Sequence, residues 1–100
     1  LWELKKLVLH NNKLGDGFVT ALVALLDEGG LANVEALSLI NNAISDAGMR
    51  ELAAAVARGG LPKCTDLDLL LFSNPGSDSP VEAALARRDK KVLRRRHSVG

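Results

Sequence analysis

The chain has no tyrosine, one tryptophan, two phenylalanines, one methionine and one cysteine in 100 residues. Aromatics at 3% exclude a large aromatic pocket. The lone Cys64 excludes an internal disulfide and any zinc spacing of paired cysteines, and points to a reducing compartment. An intracellular, cytoplasmic setting is expected by default, with a cytoskeletal or ciliary assembly as the alternative. No apolar run approaches the roughly 18 residues a membrane helix needs, and no signal-peptide pattern is present. His10 and His97 stand far apart, without Cys, Asp or Glu at ligand spacing, so no metal and no catalytic histidine is expected. The paired glycines follow helical segments and not strands, so no phosphate loop is expected. No cofactor, small-molecule substrate or enzymatic activity is therefore expected.

What is abundant is aliphatic. Hydrophobic residues make up 47%, and nineteen residues are leucine. They are spaced with a period. Residues 34–44 read VEALSLINNAI, the pattern L-x-x-L-x-L-x-x-N-x-L with Val34, Leu37, Leu39, Asn42 and Ile44 in its fixed positions. Thirty residues earlier stand Leu4, Leu7, Leu9, Asn12 and Leu14. The match continues through Asp16 and Asp46, Leu22 and Leu52, Leu26 and Val56, Gly29-Gly30 and Gly59-Gly60, and Leu31 and Leu61. Leu1 shares the register of Leu31 and Leu61 and is not Met, which suggests a piece of a longer array.

Each period predicts one strand and one helix. In repeat one the strand covers about Lys6 to Leu9, with Leu4, Leu7 and Leu9 inward and Lys6, Val8 and His10 on the opposite face. Asn12 closes the turn, Asp16 or Gly17 starts the helix, and Phe18, Leu22, Leu25 and Leu26 form its apolar stripe. Gly29-Gly30 stops it. Repeat two predicts a strand over about Ala36 to Leu39, Asn42 at the turn, and a helix from Ser45 or Asp46 with Met49, Leu52, Ala53 and Val56 buried. Asn12, Asn42 and Asn74 read as a structural ladder.

Repeat three departs from the pattern. Cys64, Leu67 and Leu69 occupy the aligned positions, and Cys64 reads as a small buried hydrophobe. Phe72 stands where Asn is expected, and Asn74 comes two residues late. An insertion of two residues within Leu69–Phe72 would explain this. The alternative register takes Leu69, Leu71 and Asn74 as the signature, and a two-residue slip keeps the faces unchanged. Ser79-Pro80-Val81-Glu82 predicts a capping box opening a helix from Pro80 to about Lys91, with Val81, Ala84, Leu85 and Arg88 on neighbouring turns. Such a degenerate last repeat suits a cap.

Stacking these units implies an α/β architecture. Strands about 4.8 Å apart beside helices about 8–10 Å apart force curvature, with the parallel sheet on the concave side and the helices on the convex side. The domain spans residues 1–93, as repeats 1–30 and 31–60 and a degenerate capping repeat 61–93. A basic tail, 94–100, follows. An uncovered sheet edge is expected over Leu1 to Leu9 unless another repeat covers it.

The motifs L-x-x-L-x-L-x-x-N followed by LGDG (14–17) and ISDAG (44–48) resemble the ribonuclease-inhibitor-like subfamily of leucine-rich repeats. The resemblance covers about residues 1–75. It implies a right-handed solenoid, a horseshoe segment, with a binding or scaffold role of the kind found in ribonuclease inhibitor, innate-immune receptors and axonemal subunits. It also implies, as an alternative, a GTPase-activating or regulatory protein resembling Ran GTPase-activating protein. Only Asn12 and Asn42 match anything in that activity's site.

The expected function is a protein–protein interaction scaffold in a multi-subunit complex. Its partner surface is the concave face, arranged in columns, acidic toward repeat three and apolar along the last: Lys6, Ala36 and Asp66; Val8, Ser38 and Asp68; His10, Ile40 and Leu70. The second candidate surface is basic. Residues 1–86 carry six Lys/Arg against eleven Asp/Glu, whereas residues 87–100 carry Arg87, Arg88, Lys90, Lys91, Arg94, Arg95 and Arg96 against Asp89 alone. That cluster would suit an acidic partner. Nucleic acid is disfavoured because no aromatic residue interleaves the cations. Arg95-Arg96-His97-Ser98 resembles a basophilic-kinase site, with Ser98 as the acceptor.

Overall fold

The computed structural model describes residues 3–65 and 69–88. Three short strands, β1 (Lys6–Val8), β2 (Ala36–Ser38) and β3 (Leu69–Leu70), form one sheet in the order β1-β2-β3, with both pairings parallel. Helix α1 (Gly15–Asp27) follows β1, α2 (Asp46–Ala57) follows β2, and α3 (79–88) follows β3. Neighbouring strands thus meet through helical crossovers, as parallel pairing requires.

The register holds at thirty between the first two strands, with Leu7 opposite Leu37 and Val8 opposite Ser38. It is thirty-two between the next two, because Leu37 faces Leu69 and Ser38 faces Leu70. Leu69, Leu71 and Asn74 are therefore the third signature, and the alignment of Leu67 with Leu37 expected from a strict period of thirty gives way to Leu69. The two extra residues lie before Leu69 and not within Leu69–Phe72. Cys64 still donates its backbone N–H to Leu61 O as Val34 does to Leu31 O, a spacing of thirty, so the slip falls between 64 and 69. Across that stretch Leu69 N–H bonds Thr65 O at 3.0 Å.

The core lies between the sheet and the helices. Val34, Leu37, Leu39, Ile44, Met49, Leu52, Leu61 and Val81 are all at 0–1% exposure. Fully burying one such side chain is worth about 1.5–3 kcal/mol before entropy is counted. The buried face of α1 is Val19, Leu22, Val23 and Leu26. It is rotated from the expected stripe, so Phe18 is only half-buried and Leu25 is 37% exposed. The matching positions on α2 are Gly48 and Ala55, both buried against α1's side of the core. Small residues there let the helices approach. A Cβ on Gly48 would run into the Asp16 carboxylate.

Both helices end in the same left-handed glycine cap. Gly29 N–H bonds Leu26 O and Gly30 N–H bonds Leu25 O; Gly59 and Gly60 repeat this with Val56 O and Ala55 O. Gly29 and Gly59 have φ of +85° and +109°, which only glycine adopts freely. The third helix differs from expectation at its start. Asp78 O accepts from Val81 and Glu82 N–H, so Asp78 caps the helix one residue early. The Ser79 hydroxyl accepts from Ser77 Oγ, and the Ser79–Glu82 capping box does not form.

Candidate functional site

Two ladders of polar side chains tie the units together before any surface is considered. Asn42 is fully buried. Its Oδ1 accepts from the N–H groups of Asn12 (2.9 Å) and Leu14 (3.4 Å), and its Nδ2 donates to Leu9 O (2.7 Å) and Ile40 O (3.3 Å). Asn74 repeats the arrangement on Asn42 and Ile44 N–H and on Leu39 and Leu71 O. An amide supplies two acceptor lone pairs and two donors, and Asn42 spends all four on the backbone. That leaves its carboxamide no capacity at a nucleotide.

The second ladder runs through Asp16 and Asp46, which the sequence aligns without showing that they bond the next unit. Asp16 lies inside α1, whose first residue is Gly15, and its carboxylate accepts from both the N–H and the hydroxyl of Ser45, the residue before α2. Asp46 accepts from Ser77 N–H at 2.8 Å, just ahead of α3. The Ser45 bonds hold the Asp16 carboxyl below its ordinary value. The sequence signal was present, since Asp16 and Asp46 share a register, but a helix-start role fitted it equally well.

The sheet face opposite the helices carries the residues expected to bind. Lys6, Val8 and His10 are exposed, Ala36, Ile40 and Leu70 are half-buried, and Ser38 is buried. They line a groove of about 320 Å³ with no carboxylate among its described walls. The register correction changes its columns. Leu70 stands beside Ser38, in the row that begins at Val8, and not in the row of Ile40 and His10. Asn41 N–H bonds Phe72 O, which puts Phe72 at the end of the Ile40 row. Phe72 is 57% exposed, and the sequence had marked it only as a missing asparagine. Asp66 and Asp68 lie outside the described residues.

The basic cluster divides. Arg87 is exposed. Arg88 is not available to a partner, because its guanidinium donates to Gly60 O (3.0 Å), Leu61 O (3.1 Å) and Cys64 O (2.8 Å). It fastens α3 to the loop after α2. Lys90, Lys91, Arg94, Arg95, Arg96 and Ser98 lie outside the described residues.

A second apolar surface lies on the outer side of the first unit, where Leu4, Leu7, Leu9, Phe18 and Leu25 line a cleft of about 260 Å³. Among the described residues no group of His, Cys, Asp and Glu could hold a metal, and no helix is long and apolar enough to cross a membrane. No protein-family model, curated protein or solved structure matches the chain.

Proposed function

We propose that this chain is a protein–protein interaction scaffold of the leucine-rich-repeat kind, a segment of a curved solenoid whose concave sheet face docks a partner protein within a larger intracellular assembly. The thirty-residue grammar of Leu, Asn and Gly, continued by a parallel sheet with one helix per unit, supports the family reading. The observation that carries the function is the open groove, where Val8, 45% exposed, shares with Ile40 and Leu70 a face that no described helix covers. Exposed apolar residues gathered on a rigid surface mark interaction sites. The residues with polar capacity deeper in the fold, Asn42 and Asn74, are committed to backbone, which favours a scaffold over a catalyst.

The test is affinity capture with the intact chain, with Val8→Asp, and with a truncation after residue 88. That end point retains Arg88 and its three carbonyl bonds. A face-borne function predicts that Val8→Asp loses partners that the truncated chain keeps. The reverse result would assign function to the basic tail as an adaptor for an acidic partner.

A further inference from the structure

Ser38 sits at the middle of the sheet face, between Val8 on one side and Leu70 on the other. It is 6% exposed, and its Oγ is the one buried side-chain polar atom among the described residues that lacks a hydrogen-bond partner. Burying a hydroxyl without a partner is unfavourable, and alanine would fill this position without that cost. The same residue lines the open groove. A hydroxyl kept unpaired at the floor of a groove is a group whose partner arrives with the ligand.

The rest of the groove defines the ligand. Its walls are aliphatic: Val8, Ala36, Leu37, Ile40 and Leu70. Among the described residues its charged wall is Lys6, at the other end of the groove from His10. We propose that Ser38 is the polar recognition point for an extended acidic–aliphatic peptide, which lays an aliphatic side chain between Val8, Ile40 and Leu70, hydrogen-bonds a backbone amide group to Ser38 Oγ, and turns a carboxylate toward Lys6. A hydroxyl both donates and accepts, so it serves either half of a peptide unit. The open groove of about 320 Å³ takes one or two side chains and leaves the flanking peptide in solvent. This proposal rests on the sheet face being the docking surface.

The experiment titrates the full chain, followed by backbone amide NMR, with two acetylated pentapeptides: Asp-Glu-Leu-Leu-Asp and Lys-Lys-Leu-Leu-Lys. The acidic peptide is expected to shift Val8, Ser38, Ile40 and Leu70, and the basic one to leave them unmoved. Ser38→Ala is expected to weaken binding about tenfold while melting no lower than the parent chain, because removing an unpaired hydroxyl does not weaken the fold. Ser38→Thr, which keeps the hydroxyl, is expected to retain binding. Equal affinity in Ser38→Ala overturns the role of Ser38, and equal response to both peptides overturns the charge assignment. If neither peptide moves the groove while Val8→Asp still abolishes partner capture, the peptide chemistry is wrong and the sheet face stands as the docking surface. If Val8→Asp keeps every partner, both fall.

Discussion

At the scale of single residues, Asn42 and Asn12 occupy the same place in successive units and have unequal worth. Asn42 is sealed in and satisfies two N–H and two C=O groups; Asn12 is exposed, and its Nδ2 bonds carbonyls only in its own unit. Asn42→Ala leaves several buried backbone groups unpaired and is expected to cost about 2–4 kcal/mol in urea unfolding. Asn12→Ala should cost under about 1 kcal/mol, because water replaces what is lost. Asp16 carries a pH signature. Its folded-state carboxyl titrates below the ordinary value of about 3.8 because Ser45 donates to it twice. Its contribution is complete above that value and is lost as pH falls through the lower folded value. Asp16→Asn is expected to flatten that part of the acid limb of a stability–pH curve and leave stability less dependent on pH below about 4. The asparagines were legible from spacing alone. The Asp16–Ser45 bond was not, since sequence cannot show that a first-turn carboxylate faces the next unit and not its own helix.

At the scale of elements, the strands and first two helices fall close to where aliphatic spacing puts them, and the misplacements have local causes. The buried stripe of α1 turns toward Val19 and Val23 because α2 packs on one side of it only, leaving Phe18 and Leu25 on the open side. The third strand was ambiguous because four consecutive apolar residues, Leu69 to Phe72, satisfy two registers equally. The register is resolved by Asn74, whose amide reaches the backbone of the second unit only after a slip of two. Gly76 shows how closely that turn packs. A Cβ there would overlap the Ser45 carbonyl and come within 2.6 Å of Asp46 N. Gly76→Ala is expected to lower stability by about 1–3 kcal/mol by pushing the turn off α2, measured as a drop in melting temperature. The Arg87–Arg96 run looked like one solvated patch. Arg88 leaves it because helix α3 aims that side chain at three loop carbonyls. Arg88→Ala should therefore destabilise the chain by more than Arg87→Ala, with a margin of about 1–2 kcal/mol in denaturant titration.

At the scale of the whole molecule, the units are joined by interactions spaced about one period apart. Arg58 pairs with Asp27, Thr20 Oγ1 bonds Glu51, and Lys63 Nζ bonds Asn33 Oδ1. These pairs lie on the surface, and an exposed ion pair such as Arg58–Asp27 is worth at most about 1 kcal/mol. The buried aliphatic seam and the asparagine ladder therefore dominate the cohesion between units. Among the described residues the first strand is paired on one side, by β2. Leu9 and Asn11 N–H bond Ser38 and Ile40 O, so the intervening N–H of Val8 and His10 face away from β2. Hydrogen exchange is expected to be fast at Val8 and His10 and slow at Leu37 and Leu39 in the isolated chain.

The groove, its Ser38 floor and the place of Phe72 at the end of the Ile40 row all depend on where the third strand sits. Backbone nuclear Overhauser contacts between β2 and β3 decide it most directly. Leu37 is predicted to contact Leu69, and Ser38 to contact Leu70. Contacts from Leu37 to Leu67 would move Leu70 beside Ile40, dismantle the groove and contradict the account.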